Sequence, residues 1–151
     1  ASDVYKRQIL RPSVVFGSED KFFNTFASLA QFSPILPLIG GGKTKFAPIY
    51  VGDIAKLLVQ MLAHYEGPDT IIIAPDEGIT IEALVKRIID NISYKGNVKF
   101  DQKKPEGVLA KCLSSDKFSR HFPEFKFTPI HEGLKDTIKW FQENRREEVS
   151  T

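Results

Sequence analysis

Residues 9–17, Ile9-Leu10-Arg11-Pro12-Ser13-Val14-Val15-Phe16-Gly17, decide how the rest of this chain is read. A short apolar run enters through Arg-Pro and leaves through Phe-Gly. The next apolar residues, from Phe22 to Phe32, recur at helical spacing. That order predicts a strand, a loop and then a helix. In an open α/β sheet, ligands gather outside the carboxyl ends of the strands. Pro12 to Gly17 is therefore where a ligand is expected to meet the chain.

Downstream, Ser18-Glu19-Asp20 supplies cap chemistry and acid for the first helix, whose core face is expected to be Phe22, Phe26, Leu29 and Ala30. Pro34 and Pro37 bracket Ile35-Leu36 and force an extended connection. Gly40-Gly41-Gly42-Lys43-Thr44-Lys45 reads as a turn. Phe46 to Val51 reads as a short strand that Pro48 confines to an edge. Gly52-Asp53 opens a second helix with Ile54, Leu58, Met61 and Tyr65 on one face, widened by Leu57 and Leu62 and stopped by Gly67-Pro68.

Thr70-Ile71-Ile72-Ile73-Ala74 is short, continuous and β-branched, which favours a buried strand. Thr80 caps a helix striped by Ile81, Leu84, Val85, Ile88 and Ile92, and Lys95-Gly96 ends that segment. Val98-Lys99-Phe100 alternates as a strand does. Lys103 to Gly107 reads as a loop, and Val108 to Leu113 as extended. Ser114-Ser115-Asp116 caps a short helix carrying Phe118 and Phe122. Pro123 to Pro129 is a loop anchored by Phe125 and Phe127. Ile130, Leu134, Ile138 and Phe141 stripe a last helix, expected to fray at Arg145-Arg146-Glu147-Glu148. Strands alternating with helices make the class α/β.

Composition bounds what such a domain can do. With 151 residues, 42% hydrophobic and 26% charged, the chain can bury a core. A net charge of +2, with lysine and arginine dispersed, gives no electrostatic case for a nucleic-acid partner. The single cysteine, Cys112, excludes an internal disulfide and fits a reducing compartment. No apolar run approaches the roughly 18 residues that suggest a membrane span. Twelve phenylalanines suggest apolar surface meant for a neighbour. The polar segment Asp3-Val4-Tyr5-Lys6-Arg7-Gln8 lacks a start methionine and resembles a translated transposon-end sequencing adapter. Residues 1–8 are read as an artefact or a disordered arm, and residues 147–151 as a frayed tail.

The candidate chemistry is mostly excluded. Gly42-Lys43-Thr44 invites a phosphate-loop reading, which needs Gly-x-x-x-x-Gly-Lys-Thr between a strand and a helix so that backbone N–H groups cradle phosphate. Here the required first glycine is Pro37, and a strand-like segment follows. His64, His121 and His131 share no metal-ligand spacing. Cys112 has only Lys111 beside it, and neighbours in an extended segment point to opposite faces. There is no Gly-x-x-Gly-x-x-Gly fingerprint and no Tyr-x-x-x-Lys pair. No catalytic residue is assigned.

Three segments carry a resemblance. Arg11-Pro12-Ser13-Val14-Val15-Phe16-Gly17, Tyr50-Val51-Gly52-Asp53-Ile54-Ala55 and Gly133-Leu134-Lys135-Asp136-Thr137-Ile138-Lys139-Trp140 occur in the order seen in extended short-chain dehydrogenases, the NAD-dependent epimerase/dehydratase family. The resemblance covers residues 9–146. It implies the C-terminal half of a Rossmann-like doubly wound sheet plus a small α/β substrate domain, truncated at the N-terminus. In that superfamily the glycine fingerprint and the Tyr/Lys acid–base pair belong to the first half. The cradle for NAD or NADP would then lie mostly upstream, the missing half would be a partner, and this chain alone would be inactive.

Within the superfamily, residues 9–55 resemble the accessory subunit of respiratory complex I and its relatives, while residues 62–146 resemble GDP-L-fucose synthase. A read-assembly chimera and a genuine family intermediate both account for the change. The resemblance implies that Pro12, Ser13 and Val14 line the nicotinamide pocket, with Phe16 beside the substrate. Lys111, after Lys-Pro-x-Gly, would meet the diphosphate of a nucleotide-sugar. Two departures oppose that. Phe46 stands where sugar-nucleotide epimerases carry an arginine clamp, and the histidine expected after Gly17 is missing. The function expected is a fragment of a nucleotide-sugar epimerase/dehydratase/reductase in the cytoplasm. The alternative is a non-catalytic NAD(P)H-binding subunit or assembly factor, membrane-associated through complex I.

Overall fold

Residues 9–17 form two strands rather than one. In the computed structural model, β1 (Ile9–Pro12) runs parallel to β6 (Thr70–Ile73), with Pro12 opposite Ile73. β2 (Val15–Phe16) instead runs parallel to β5 (Ile49–Tyr50). The change of partner falls on two adjacent residues. The Ser13 N–H still donates to the Ile73 carbonyl at 2.9 Å, and the Val14 carbonyl already accepts the Ile49 N–H at 2.8 Å. The structure describes residues 9–39, 41–64, 70–101, 110–111 and 113–148. The arm 1–8, Tyr65, the Gly67-Pro68 stop, the Lys103 to Gly107 loop and Cys112 lie outside the described residues.

α1 (Lys21–Phe32) follows β2, capped by Asp20, whose Oδ1 accepts the Phe23 N–H at 2.7 Å. Its buried face is Phe23 and Ala27, while Leu29 is exposed. Of the expected face, Leu29 is thus exposed and Phe26 and Ala30 are half-buried, the Phe22 side chain lies outside the described residues, and the neighbouring Phe23–Ala27 face is the buried one. The Phe16 ring, 5.0 Å from that of Phe23, draws this neighbouring face inward.

The Ile35-Leu36 connection is a strand, β3 (Ile35–Ile39), parallel to β8 (Asn97–Asp101) along its whole length. Pro37 is tolerated because, among the described residues, this pair has only two strands, so one side of each needs no ladder bond. The segment expected as a single edge strand also divides. β4 (Lys45–Phe46) is the middle strand of three, antiparallel to β7 (Ile79–Thr80) and parallel to β9 (Ala110–Lys111). Pro48 falls between β4 and β5, where no ladder N–H is demanded.

The glycine turn has a structural task. α3 (Ile81–Asn91) begins with N–H groups that no helical carbonyl can satisfy. The Thr44 carbonyl accepts from Ile81 at 3.1 Å, the Gly42 carbonyl from Glu82 at 3.0 Å, and Thr80 Oγ1 from Ala83 at 3.2 Å. Gly42 sits at φ +70°, and a Cβ there would lie 2.7 Å from the Phe100 ring. The stripe of α3 is as expected, with Leu84, Val85 and Ile88 buried.

α2 (Val51–His64) buries Asp53, Leu57 and Met61, with Ile54 half-buried. Leu58 and Leu62, expected on the core face, are 45% and 87% exposed. Two cores result. One joins Phe16, Phe23, Phe46, Leu84, Ile88 and Leu134, the last from α5 (Ile130–Glu148). The other joins Ile49, Leu57, Met61, Ile71, Ile73 and Phe118, the last from α4 (Asp116–His121). Phe122, Phe125 and Phe127 surround Phe118 with ring centroids 5.3–5.5 Å away, so much of the phenylalanine content is spent internally. α5 continues through the segment expected to fray, as far as Glu148.

Candidate functional site

The residues proposed for the cofactor stand at the crest where β1 and β2 part. Two of their backbone groups, the Ser13 N–H and the Val14 carbonyl, are held by the sheet. This fixes the crest rigidly and leaves its side chains to meet a ligand. Val14 is 45% exposed, Pro12 is exposed and Ser13 is half-buried. A short apolar ledge at a strand end suits the face of a nicotinamide ring. The fit extends to one wall only, since no glycine-rich phosphate loop accompanies it in this sequence.

Phe16 does not stand on that ledge. It is 1% exposed, its ring packed among Phe23, Tyr50 and Gly133. Alternation explains this, because Val15 faces out and its neighbour must face in. The expected substrate contact is thus replaced by a core position that props up the crest from below.

Lys111 lies on β9, and its Cα partner across the parallel ladder is Phe46. The structure thus sets side by side the two positions that argue for and against a diphosphate clamp. Phe46 itself is 7% exposed and belongs to the first core.

One buried acid escaped the sequence reading. Asp53, 1% exposed in the first turn of α2, accepts the Thr128 N–H at 2.7 Å and the Thr128 hydroxyl at 2.6 Å. Lys56 Nζ lies 3.5 Å away and is itself largely exposed. The clamp ties the 123–129 loop to the helix. Beside that loop opens a cleft of about 370 Å³, walled by Pro48, Pro75, Gly78, Phe127, Thr128 and His131. Pro12, Ser13, Val14 and Phe16 do not line it. A glycine-aspartate helix start signals a cap; nothing in the sequence names a partner 75 residues away.

Tyr50 closes β5. Its hydroxyl reaches Asp136 Oδ2 at 3.5 Å. Burial, followed by the Asp136 carboxylate, pushes the phenol above its ordinary value. Among the described residues, no group of three His, Cys, Asp or Glu side chains could hold a metal ion, and no helix is long and apolar enough to cross a membrane.

This arrangement is the α/β fold of short-chain-dehydrogenase-type epimerases and dehydratases. Its sequence is homologous to the C-terminal region of GDP-L-fucose synthases. GDP-L-fucose synthase of Dictyostelium discoideum is 32% identical over 111 residues, 72% of this chain and 35% of its own length. The crystal structure of a GDP-L-fucose synthetase from Naegleria fowleri bound to NADP superposes with a TM-score of 0.84 at 26% identity, over 92% of this chain and 47% of that one. A shorter match, 44% identical over 54 residues, links 36% of this chain to 13% of the mitochondrial NADH dehydrogenase [ubiquinone] 1 alpha subcomplex subunit 9 of Arabidopsis thaliana. No protein-family model matches the chain. The chain spans about a third of the length of the fucose synthases it matches.

Proposed function

We propose that this chain is the substrate-side half of an NAD(P)-dependent nucleotide-sugar epimerase/reductase of the GDP-L-fucose synthase kind. The observation that carries the reading is the extent of the match. The Dictyostelium synthase aligns with 72% of the chain, against 36% for the complex I subunit. In the intact enzyme, NAD(P) supplies or takes up hydride. Pro12, Ser13 and Val14 form one wall of the nicotinamide site, held in place by the two sheet hydrogen bonds. Lys111 provides the cation that Phe46 does not, one strand away from the position where an arginine clamp would stand. Proton transfer is left to the Tyr/Lys pair of the other half, so the chain alone turns over no substrate. A cytoplasmic location accompanies this reading.

The test joins the chain in register behind the first half of the Dictyostelium synthase and follows NADPH oxidation with a GDP-linked keto-sugar. Turnover is expected, and Lys111→Ala should raise KM by about 10-fold or more, the worth of one charge-assisted hydrogen bond. Absence of turnover in a folded hybrid that still binds NADPH by calorimetry would reject the enzyme reading. It would instead favour a non-catalytic, cofactor-holding subunit associated with complex I, which the 44% identity over 54 residues supports.

A further inference from the structure

We infer that the cleft beside the 123–129 loop is a binding site for a small zwitterion with a flat apolar body, an aromatic α-amino acid being the simplest member of that class. The inference is independent of the proposed function.

The cleft lies where the chain passes between the two cores. One passage runs from Phe46 in the first core through Pro48 to Ile49 in the second. Another runs from Ile73 in the second core through Pro75 and Gly78 to Ile79, which packs on the first. The third runs from Phe127, packed on the second core, through Thr128 and Pro129 to Ile130 on the first. All three passages wall the cleft, and each carries a proline. Each is also pinned beside it. The Ile49 N–H donates to the Val14 carbonyl at 2.8 Å, Ile79 faces Phe46 across the β4–β7 ladder, and Thr128 is held by the Asp53 carboxylate. Walls fixed in this way make a preformed site, with little left to order when a ligand enters.

Volume bounds the ligand. The 370 Å³ of the cleft is the space of about a dozen waters at roughly 30 Å³ each. A sphere of that volume is about 9 Å across, which holds at most about three residues of an extended peptide at roughly 3.3 Å each. The occupant is therefore a small molecule rather than a peptide segment.

Lining chemistry gives its class. Pro48, Pro75, Pro129 and Phe127 offer flat apolar faces, and proline and aromatic rings pack well on one another. Glu77 and Arg87 bring opposite charges to the same cleft, both at its exposed rim. Among the described residues no ion pair joins them. A plain anion would meet the Glu77 carboxylate, and a plain cation the Arg87 guanidinium. A ligand carrying both an ammonium and a carboxylate satisfies both walls, its carboxylate matched to the planar guanidinium.

The experiment titrates the isotope-labelled chain with L-phenylalanine and follows amide shifts by nuclear magnetic resonance. Saturable shifts centred on Gly78, Thr128 and Ile130 are expected, with a Kd of about 1 mM, the range for a ligand of that size. Phenylacetate, which lacks the ammonium, and phenethylamine, which lacks the carboxylate, should each bind about 5-fold more weakly. Arg87→Ala and Glu77→Gln should each weaken L-phenylalanine by about 5-fold, as expected for one charge contact at an exposed rim. Arg87→Ala should not weaken phenethylamine, nor Glu77→Gln phenylacetate. Lys86→Ala, beside Arg87 on α3 but outside the cleft, should change nothing. Shifts that do not saturate by about 20 mM, or that fall elsewhere on the chain, would overturn the inference. So would equal binding of the three compounds, or variants at Arg87 and Glu77 that bind L-phenylalanine as the unaltered chain does.

Discussion

Asp53→Ala should be among the most damaging single changes in this protein. The carboxylate is 1% exposed and accepts two short hydrogen bonds from one residue, 2.7 Å from the Thr128 N–H and 2.6 Å from its hydroxyl. Hydrogen bonds to a charged group contribute about 1.5–3 kcal/mol each, and a half-buried N–H left without a partner costs about 1–3 kcal/mol. The Thr128 hydroxyl can rotate toward water, so the two losses do not add in full. The net expectation is about 3–5 kcal/mol. Lys56 contributes little to this sum, because an exposed ammonium 3.5 Å from its partner adds about 0–1 kcal/mol. For a domain of this size the loss corresponds to a Tm lowered by roughly 6–20 °C. Urea unfolding followed by far-ultraviolet circular dichroism measures it. Thr128→Val removes only the hydroxyl bond and should cost about 1–2 kcal/mol. The double variant should cost less than the sum of the two single variants by about 1 kcal/mol or more. Additive losses, or an Asp53→Ala cost below about 1 kcal/mol, would refute the clamp as the tie between loop and helix.

Other outcomes follow from single contacts. Phe118→Ala should cost about 3–5 kcal/mol in the same unfolding assay, since the ring is 2% exposed and its three aromatic neighbours cannot collapse together into the space. Gly42→Ala should cost about 1–3 kcal/mol, because it adds a Cβ at φ +70° and 2.7 Å from Phe100, and it should raise hydrogen exchange at Ile81 and Glu82. Raising the pH should weaken the fold above the ordinary tyrosine value, since the unfolded chain then releases the Tyr50 proton while the folded chain keeps it. In Tyr50→Phe that loss should be smaller, as urea unfolding at alkaline pH would show.

Much of the fold was legible from local chemistry. The Thr80 cap and the stripe of α3, the buried run Thr70 to Ala74 and the phenylalanine anchors near residue 125 all depend on spacing and propensity that neighbouring residues carry themselves. On α2 the periodicity places Ile54, Leu57 and Met61 on the core face and wrongly adds Leu58 and Leu62, while on α1 it passes over Phe23 and Ala27. Periodicity finds a stripe, but where two apolar stripes compete only the packing partner selects one. Phe16 selects Phe23 in α1, and Thr128 draws Asp53 inward in α2.

The sequence by itself determined the class of protein and the order of its helices, and it marked Pro12, Ser13 and Val14 as a turn expected to face a ligand. Tertiary structure alone decided three things. It split residues 9–17 between two partner strands, because ladder partners come from residues 49–50 and 70–73, far along the chain. It placed Phe16 in the core, because the register that exposes Val15 must bury its neighbour. And it set Phe46 opposite Lys111 and Asp53 against Thr128, since a pairing between segments more than 60 residues apart leaves no periodic trace in either of them.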